Sequence, residues 1–450
     1  MNIVPAEAAW MLAEFAPVFT QPTYPRFVVL LFGAILTTGR HTVSKILRTV
    51  GSLASGAPSS YHRVLSCARW SGLQLARILT RLIVRSFYPD GIILLAGDDT
   101  VDEHRGKKVY GKSRHRDAVR SSHSYTAHRY GHKWVVLAIL VKFPFATRYW
   151  ALPILVSLYR SPKDNKERGR RHHTPVELMR RMLRVLMRWF PDRHFRFAGD
   201  GGFGTHELAR CAQQSGGHLT LVSRFYADAN LYDLPPERRG KKNGRPRLKG
   251  AKKPRPMDVV AKQKKKRQRL TVDWYGGEQR RVEIVTADGH WFKSGEGLVA
   301  VRWVFVHDLT GTHRDEYFFT TDVTMTAKEI IEAFTRRWNI ETTFEEMRAY
   351  LGLETTRGWT RKTVLRAAPC LFGSYSVVAL LYWKLPTKYK DGIQLSWDGK
   401  TETTFSDAIT AVRRWLWTRW VFETSGHHKA FSKLPRRFRF TLLNALAPAA

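Results

Sequence analysis

The sequence has little cysteine, a shortage of acid and no long uninterrupted apolar run. Its 450 residues hold three cysteines, Cys67, Cys211 and Cys370, far apart and with no CxxC pair. This excludes a cysteine-built zinc finger or ribbon, argues against a disulfide framework and points to a reducing compartment. The longest apolar stretch, Ala367 to Trp383, spans 17 residues and carries Pro369, Gly373 and two serines. Such a stretch is expected as a buried helix, not a membrane span. No basic segment precedes an apolar run at the N-terminus, and Glu7 and Glu14 interrupt it, so no signal peptide is expected. Acids number 38 against 75 Lys and Arg, a formal charge of +37.

That excess argues against a small cationic substrate and calls for a polyanion, with nucleic acid as the default partner and a membrane surface as the competitor. A disordered basic tail is excluded as well, because 43% of residues are hydrophobic and 12% aromatic. No internal repeat is evident.

Residues 1–90 read as a helical N-terminal region that binds DNA. Thr42 caps a helix to Val50, Ser59 or Ser60 caps one to Cys67, and a third runs from about Trp70 to Phe87. The pattern is helix–turn–helix-like. Arg77, Arg81 and Arg85 fall at i, i+4 and i+8 on the third helix, a stripe that is either a solvated face or a phosphate-binding one. From Gly91 the texture changes. Gly91 to Gly97 is a buried strand ending at Asp98-Asp99-Thr100. Lys133 to Phe143 and Arg148 to Tyr159 read as a hairpin. Thr174-Pro175-Val176-Glu177 is a capping box opening a helix to about Phe190, with Leu178, Met182, Leu186 and Phe190 inward. A strand from His194 to Ala198 ends at Gly199-Asp200-Gly201-Gly202, followed by a helix over 204–214 and a strand from His218 to Ser223.

The order over 91–223 matches an α/β fold with a ribonuclease H-like mixed-sheet core. Residues 224–321 read as a β-rich insertion, with strands at Arg269–Trp274, Arg281–Thr286, Leu298–His307 and Glu316–Thr320. It carries a flexible basic arm, Arg238 to Arg269, with 16 Lys/Arg against the single acid Asp258. Within the arm, Asn243-Gly244-Arg245-Pro246-Arg247 is similar to an AT-hook core, whose two arginines lie in the minor groove; a solvated linker touching phosphates is the plainer reading. The core resumes over 322–385 with a second capping box, Thr326 to Glu329, and one long helix to about Leu351. Residues 386–450 read as a helical C-terminal region.

Three acids fall at meaningful places in this order: Asp98 and Asp200 at the ends of neighbouring strands, and Glu341 on the late helix. Converging carboxylates repel unless cations lie between them, and two Mg²⁺ ions fit hard oxygen ligands. Mn²⁺ is expected to substitute. Paired ions serve phosphodiester chemistry. Asp99, on the opposite strand face, is the alternative to Asp98. Arg337, Glu341, Glu345 and Arg348 share one helix face, either as a salt-bridge ladder or with the arginines on phosphates. No trusted ligand spacing emerges from the 17 histidines.

Here the residues reach a resemblance. Phe334, Arg337, Glu341 and Arg348, followed by Leu351-Gly352-Leu353, resemble the Tyr-x2-Arg-x3-Glu-x6-Lys (YREK) signature of bacterial insertion-sequence DDE transposases. Phe334 stands in place of the Tyr and Arg348 in place of the Lys. Asp98-Asp99-Thr100 and the Asp200 loop are similar to that group's two aspartate motifs. The 141-residue interval from Asp200 to Glu341 is similar to its β-rich insertion. The resemblance implies metal-dependent cleavage at element ends and strand transfer into target DNA. It further implies terminal inverted repeats as partners, a homodimer in the DNA complex, and action in the cytoplasm at the nucleoid, away from membranes. A structure-selective nuclease or resolvase on the same fold, or a non-catalytic nucleic-acid-binding protein, are the alternatives.

Overall fold

Apolar strands from the middle of the chain form one large mixed sheet, with helices packed around it. This computed structural model describes residues 4–117, 121, 124–237, 247–390, 400 and 402–448. The N-terminal region is helical: α1 (Ala6–Phe15), α2 (Tyr24–Leu36), α3 (Val43–Val50), α4 (Pro58–Ser66) and α5 (Gly72–Phe87). Thr42 caps α3 as expected, accepting from the Lys45 N–H at 3.2 Å. The expected Ser59 or Ser60 cap is displaced. The fixed φ of Pro58 starts α4 with Ala57 as its N-cap, two residues before Ser59, so both serines lie inside it.

The strands are β1 (Ile93–Glu103), β2 (Ser113–Arg116), β3 (His128–Lys142), β4 (Tyr149–Tyr159), β5 (Phe195–Gly199), β6 (Leu219–Arg224), β7 (Leu231–Tyr232), β8 (Gln268–Asp273), β9 (Gln279–Lys293), β10 (Gly297–Asp308) and β11 (Glu316–Thr320). The core order is β4-β3-β1-β5-β6, with β1, β5 and β6 parallel and β3 antiparallel to β1. This is the ribonuclease H-like arrangement expected from the sequence. Strand β3 is buried on both faces from Trp134 to Val141, so it reads as a continuous apolar run. Helices α6 (Pro162–Glu167), α7 (Pro175–Trp189) and α8 (His206–Gln213) lie within this half. The Thr174 capping box is formed. The helix it opens buries Met179, Met182, Leu183 and Leu186, a face turned from the expected one, with Leu178 and Phe190 at its margin.

Further details differ from those expected. Strand β1 does not stop at Asp98. Antiparallel pairing to β3 carries it on to Glu103, while parallel pairing to β5 ends at Gly97–Gly199. The β-rich insertion expected over 224–321 is present and extends the core sheet. Its strand β11 pairs with β6, and β10 and β9 follow, so one sheet runs through core and insertion. The basic arm is not featureless. It contains α9 (Pro256–Lys262), which buries Pro256 and Val260.

The capping box at Thr326 is also formed, but the long helix is two: α10 (Ala327–Arg337) and α11 (Asn339–Tyr350). At Trp338, bonds three residues apart, Trp338 N to Thr335 O and Glu341 N to Trp338 O, tighten the turn. The apolar stretch of the sequence lies in α12 (Arg361–Lys384), which runs through Pro369 and packs against β4. Alone among the described helices, α12 is long and apolar enough to cross a membrane, and two-thirds of its apolar window is buried inside the protein. Helices α13 (Phe405–Trp415), α14 (His428–Lys433) and α15 (Arg436–Leu446) complete the chain.

Candidate active site

Where β5 ends and β1 continues, the next residues on the two neighbouring chains are Asp98 and Asp200. The strands can close on α7 there because Gly97 has no side chain. A Cβ at Gly97 would sit 2.4 Å from Phe197 and 2.6 Å from Met179. Asp200 opens a tight turn, and its Oδ1 accepts the Gly202 N–H at 3.0 Å. Glu341 stands in the first turn of α11, where the helix dipole favours an anion.

Arg337 joins two of these acids. Its Nη1 donates to Asp98 Oδ2 at 2.9 Å, and its Nη2 donates to Glu341 Oε1 at 2.9 Å. Arg337 is buried, Asp98 nearly so, and Glu341 half exposed. Burial pushes the Asp98 carboxyl up to about 7. The Arg337 charge opposes the shift, and the charges of Asp200 and Asp99 add to it. Asp99 points the other way and pairs with Lys133 at 2.9 Å. Burial raises its pKa too, with Lys133 opposing. Strand alternation thus puts Asp98 with Arg337 and Glu341, and Asp99 with Lys133.

The remaining candidates divide. Arg348 reaches β1 instead of standing open: its Nε donates to Glu354 at 3.0 Å, and its Nη2 to the Thr100 hydroxyl and, at 3.4 Å, the Val101 carbonyl. Phe334 is wholly buried and stacks on Phe318 at 4.3 Å, under the guanidinium groups of Arg224 and Arg337. A hydroxyl at this position would have to be buried in the packed sheet–helix interface. Arg77 and Arg81 form the expected exposed stripe on α5, and Arg85 pairs with Glu14 at 2.7 Å. Arg247 is exposed, and Arg245 lies outside the described residues.

Asp98, Asp200 and Glu341 offer hard oxygen donors, and the cation between two of them is a guanidinium. The donor set therefore fits divalent metal.

Two features escaped the sequence reading. Glu346, on α11, is buried against Arg148 at 2.8 Å and the Tyr375 hydroxyl at 2.6 Å. Further along β1, Asp102 lies beside His104 and His132, all buried, with possible ligand atoms within 4.8 Å of one another. Burial lowers the His132 pKa, with Asp102 opposing. The available signal was alternation: Asp98, Thr100 and Asp102 occupy every second position of β1, His104 follows two residues on, just past its end, and His132 faces Asp102 from β3.

Comparisons with known proteins give the family of the chain. Residues 14–281, which include Asp98 and Asp200, match the family described as "DDE superfamily endonuclease". Residues 294–381, which include Glu341, match the model described as "Archaeal putative transposase ISC1217". No curated protein sequence matches the chain. Among solved structures, a cryo-EM structure of a piggyBac transposase synaptic complex with hairpin DNA aligns at 11% identity and a TM-score of 0.41, covering 98% of this chain and 82% of that one.

Proposed function

The chain belongs to the DDE superfamily of endonucleases, and from that premise we propose that it is a transposase of the YREK branch. It cuts DNA at the ends of a bacterial insertion sequence and joins the freed strand to target DNA. The observation that carries this reading is the Arg337 fork between Asp98 and Glu341, beside Asp200.

In this reading Asp98, Asp200 and Glu341 hold two Mg²⁺ ions, with Mn²⁺ able to substitute. When bound, the ions would supply Lewis-acid polarisation of a phosphate and activation of water or a 3′-hydroxyl. Arg337 keeps two of the carboxylates positioned and charge-balanced. Arg348 acts through Thr100 and Val101, fixing the strand that carries Asp98 against α11. The stripe of Arg77 and Arg81 on α5, with Arg245 and Arg247 in the arm, binds phosphates of terminal inverted repeats and target DNA. The working form is a homodimer on DNA, in the cytoplasm at the nucleoid. Residues 1–90 and the arm at 238–269 serve DNA binding, 91–223 and 322–385 the chemistry, and 386–450 supports them.

The test is end cleavage and joining with Mg²⁺ by Asp98→Asn, Asp200→Asn and Glu341→Gln proteins. Each is expected to lose at least about 100-fold in cleavage, several kcal/mol of barrier. Full cleavage by any one removes that residue from the site. Cleavage indifferent to end sequence, with no joined product, would instead make the protein a structure-selective nuclease.

A further inference from the structure

The geometry points to a second metal site, a zinc ion held by Asp102, His104 and His132, separate from the carboxylates at Asp98 and Asp200. All three residues are buried, Asp102 completely. The argument starts with His132. Its Nε2 faces the Tyr110 carbonyl at 2.9 Å, an acceptor, so the ring proton belongs on Nε2. In the neutral ring Nδ1 then carries a lone pair, and it points at another acceptor, Asp102 Oδ1, 3.6 Å away. Two lone pairs facing each other in a dry interior repel. A cation between them turns the repulsion into coordination.

The rest of the cluster fits. Asp102 Oδ2 lies 3.3 Å from His104 Nε2. Donors about 2.0–2.1 Å from a tetrahedral zinc stand about 3.4 Å apart, close to both separations, which run to the two oxygens of the one Asp102 carboxylate, the His104 one being a hydrogen bond that the metal would replace. Each ligand is braced. Asp102 accepts from the His132 backbone N–H and from Trp134 Nε1, both at 3.1 Å. His132 is oriented by the Tyr110 carbonyl, and the His104 backbone N–H is held by the Tyr130 carbonyl at 3.0 Å. Outer contacts of this kind set ring orientation and tautomer at metal sites. A further imidazole, His115 on β2, is buried, with Nε2 unpartnered among the described residues and in electrostatic range of Asp102 and His132. Two imidazoles and one carboxylate select zinc over magnesium.

The site would pin the connection after β1, which carries His104 and Tyr110, onto β1 and β3. With Asp102, His104 and His132 all buried, its role would be structural. Asp102 lies four residues beyond Asp98 on the same strand, and the zinc would stiffen the strand that presents Asp98.

The experiment uses the full chain, untagged, incubated with Zn²⁺, desalted in excess Mg²⁺ and assayed by elemental analysis. One zinc per chain is expected in the wild type and in the Asp98→Asn/Asp200→Asn/Glu341→Gln protein. It is expected to be lost in His104→Gln and His132→Gln, with folding followed by circular dichroism. Because these variants could unfold, chelator-treated wild-type protein is also titrated with Co²⁺. The intense visible bands of tetrahedral cobalt are expected, displaced by one equivalent of Zn²⁺. Wild type without zinc, zinc kept by both folded histidine variants, zinc lost from the triple variant, or only weak octahedral cobalt bands would overturn the site.

Discussion

Asp98 illustrates what one residue's surroundings do to it. Its carboxyl is raised from 3.8 to about 7, chiefly by burial. Between those values the folded chain keeps a proton that the unfolded chain has lost. This group's contribution therefore makes stability fall as pH rises through that window, and it is flat above about 7. A metal ion needs the carboxylate, so Mg²⁺ affinity should rise up to about tenfold per pH unit below 7 and then level off. Thermal shift with Mg²⁺ should accordingly grow from pH 6 to pH 8 in the wild type and not in Asp98→Asn. Arg337 is the counterpart. Removing it in Arg337→Ala leaves a buried Asp98 without its partner, at a cost of about 3 kcal/mol. Denaturant unfolding without metal should show that loss, and Mg²⁺ should return part of it. The bond from Arg337 to Glu341 was legible in the sequence, because Trp338 keeps helical dihedrals between α10 and α11 and the four-residue spacing still places the two side chains together. Its bond to Asp98, 239 positions away, depends on the tertiary packing of α10 against β1 and was not.

Elements were legible where their signals are local. Both capping boxes formed as read, since a threonine and the third residue after it decide them. The end of β1 was misread because the neighbouring strands, not the residues themselves, decide where pairing stops. The break at Trp338 has no proline or glycine to announce it. Least legible were the ties between elements. Arg413, on α13, is buried and donates to the Ile35 carbonyl at 2.7 Å and the Tyr350 carbonyl at 2.8 Å, the C-terminal ends of α2 and α11. Burial lowers its pKa to about 10, and two helix ends with their carbonyl dipoles hold the charge. Arg413→Ala should cost about 3 kcal/mol, two charged hydrogen bonds, and loosen α11, which carries Glu341. Denaturant unfolding checks the stability, and hydrogen exchange over residues 339–350 checks the element. Global loss without faster exchange in α11 would limit Arg413 to the N-terminal region.

At the scale of the whole molecule the charge is laid over a continuous sheet. The residues from Arg238 to Arg269 carry a net +15 of the chain's +37, but part of that charge is built into the fold. Pro256 and Val260 are buried, and Lys249 lies over the rings of Tyr232 and Phe292. Deleting the whole segment would remove structure along with charge and confuse the two. The informative variant replaces only the six Lys and Arg between residues 238 and 247 with serine or glutamine. Each phosphate contact on duplex DNA contributes about 0.9 to the slope of log affinity against log salt. If all six touch DNA, the slope should shrink by about 5, and affinity at low salt should fall most. Fluorescence anisotropy with a labelled terminal repeat, across a KCl series, reads both quantities. Replacing Arg77 and Arg81 on the α5 face should shrink the slope by about 2 more, and the two losses should add if arm and helix engage separate phosphates. An unchanged slope in the arm variant would show that these charges stay in solvent, leaving the α5 face to hold the DNA.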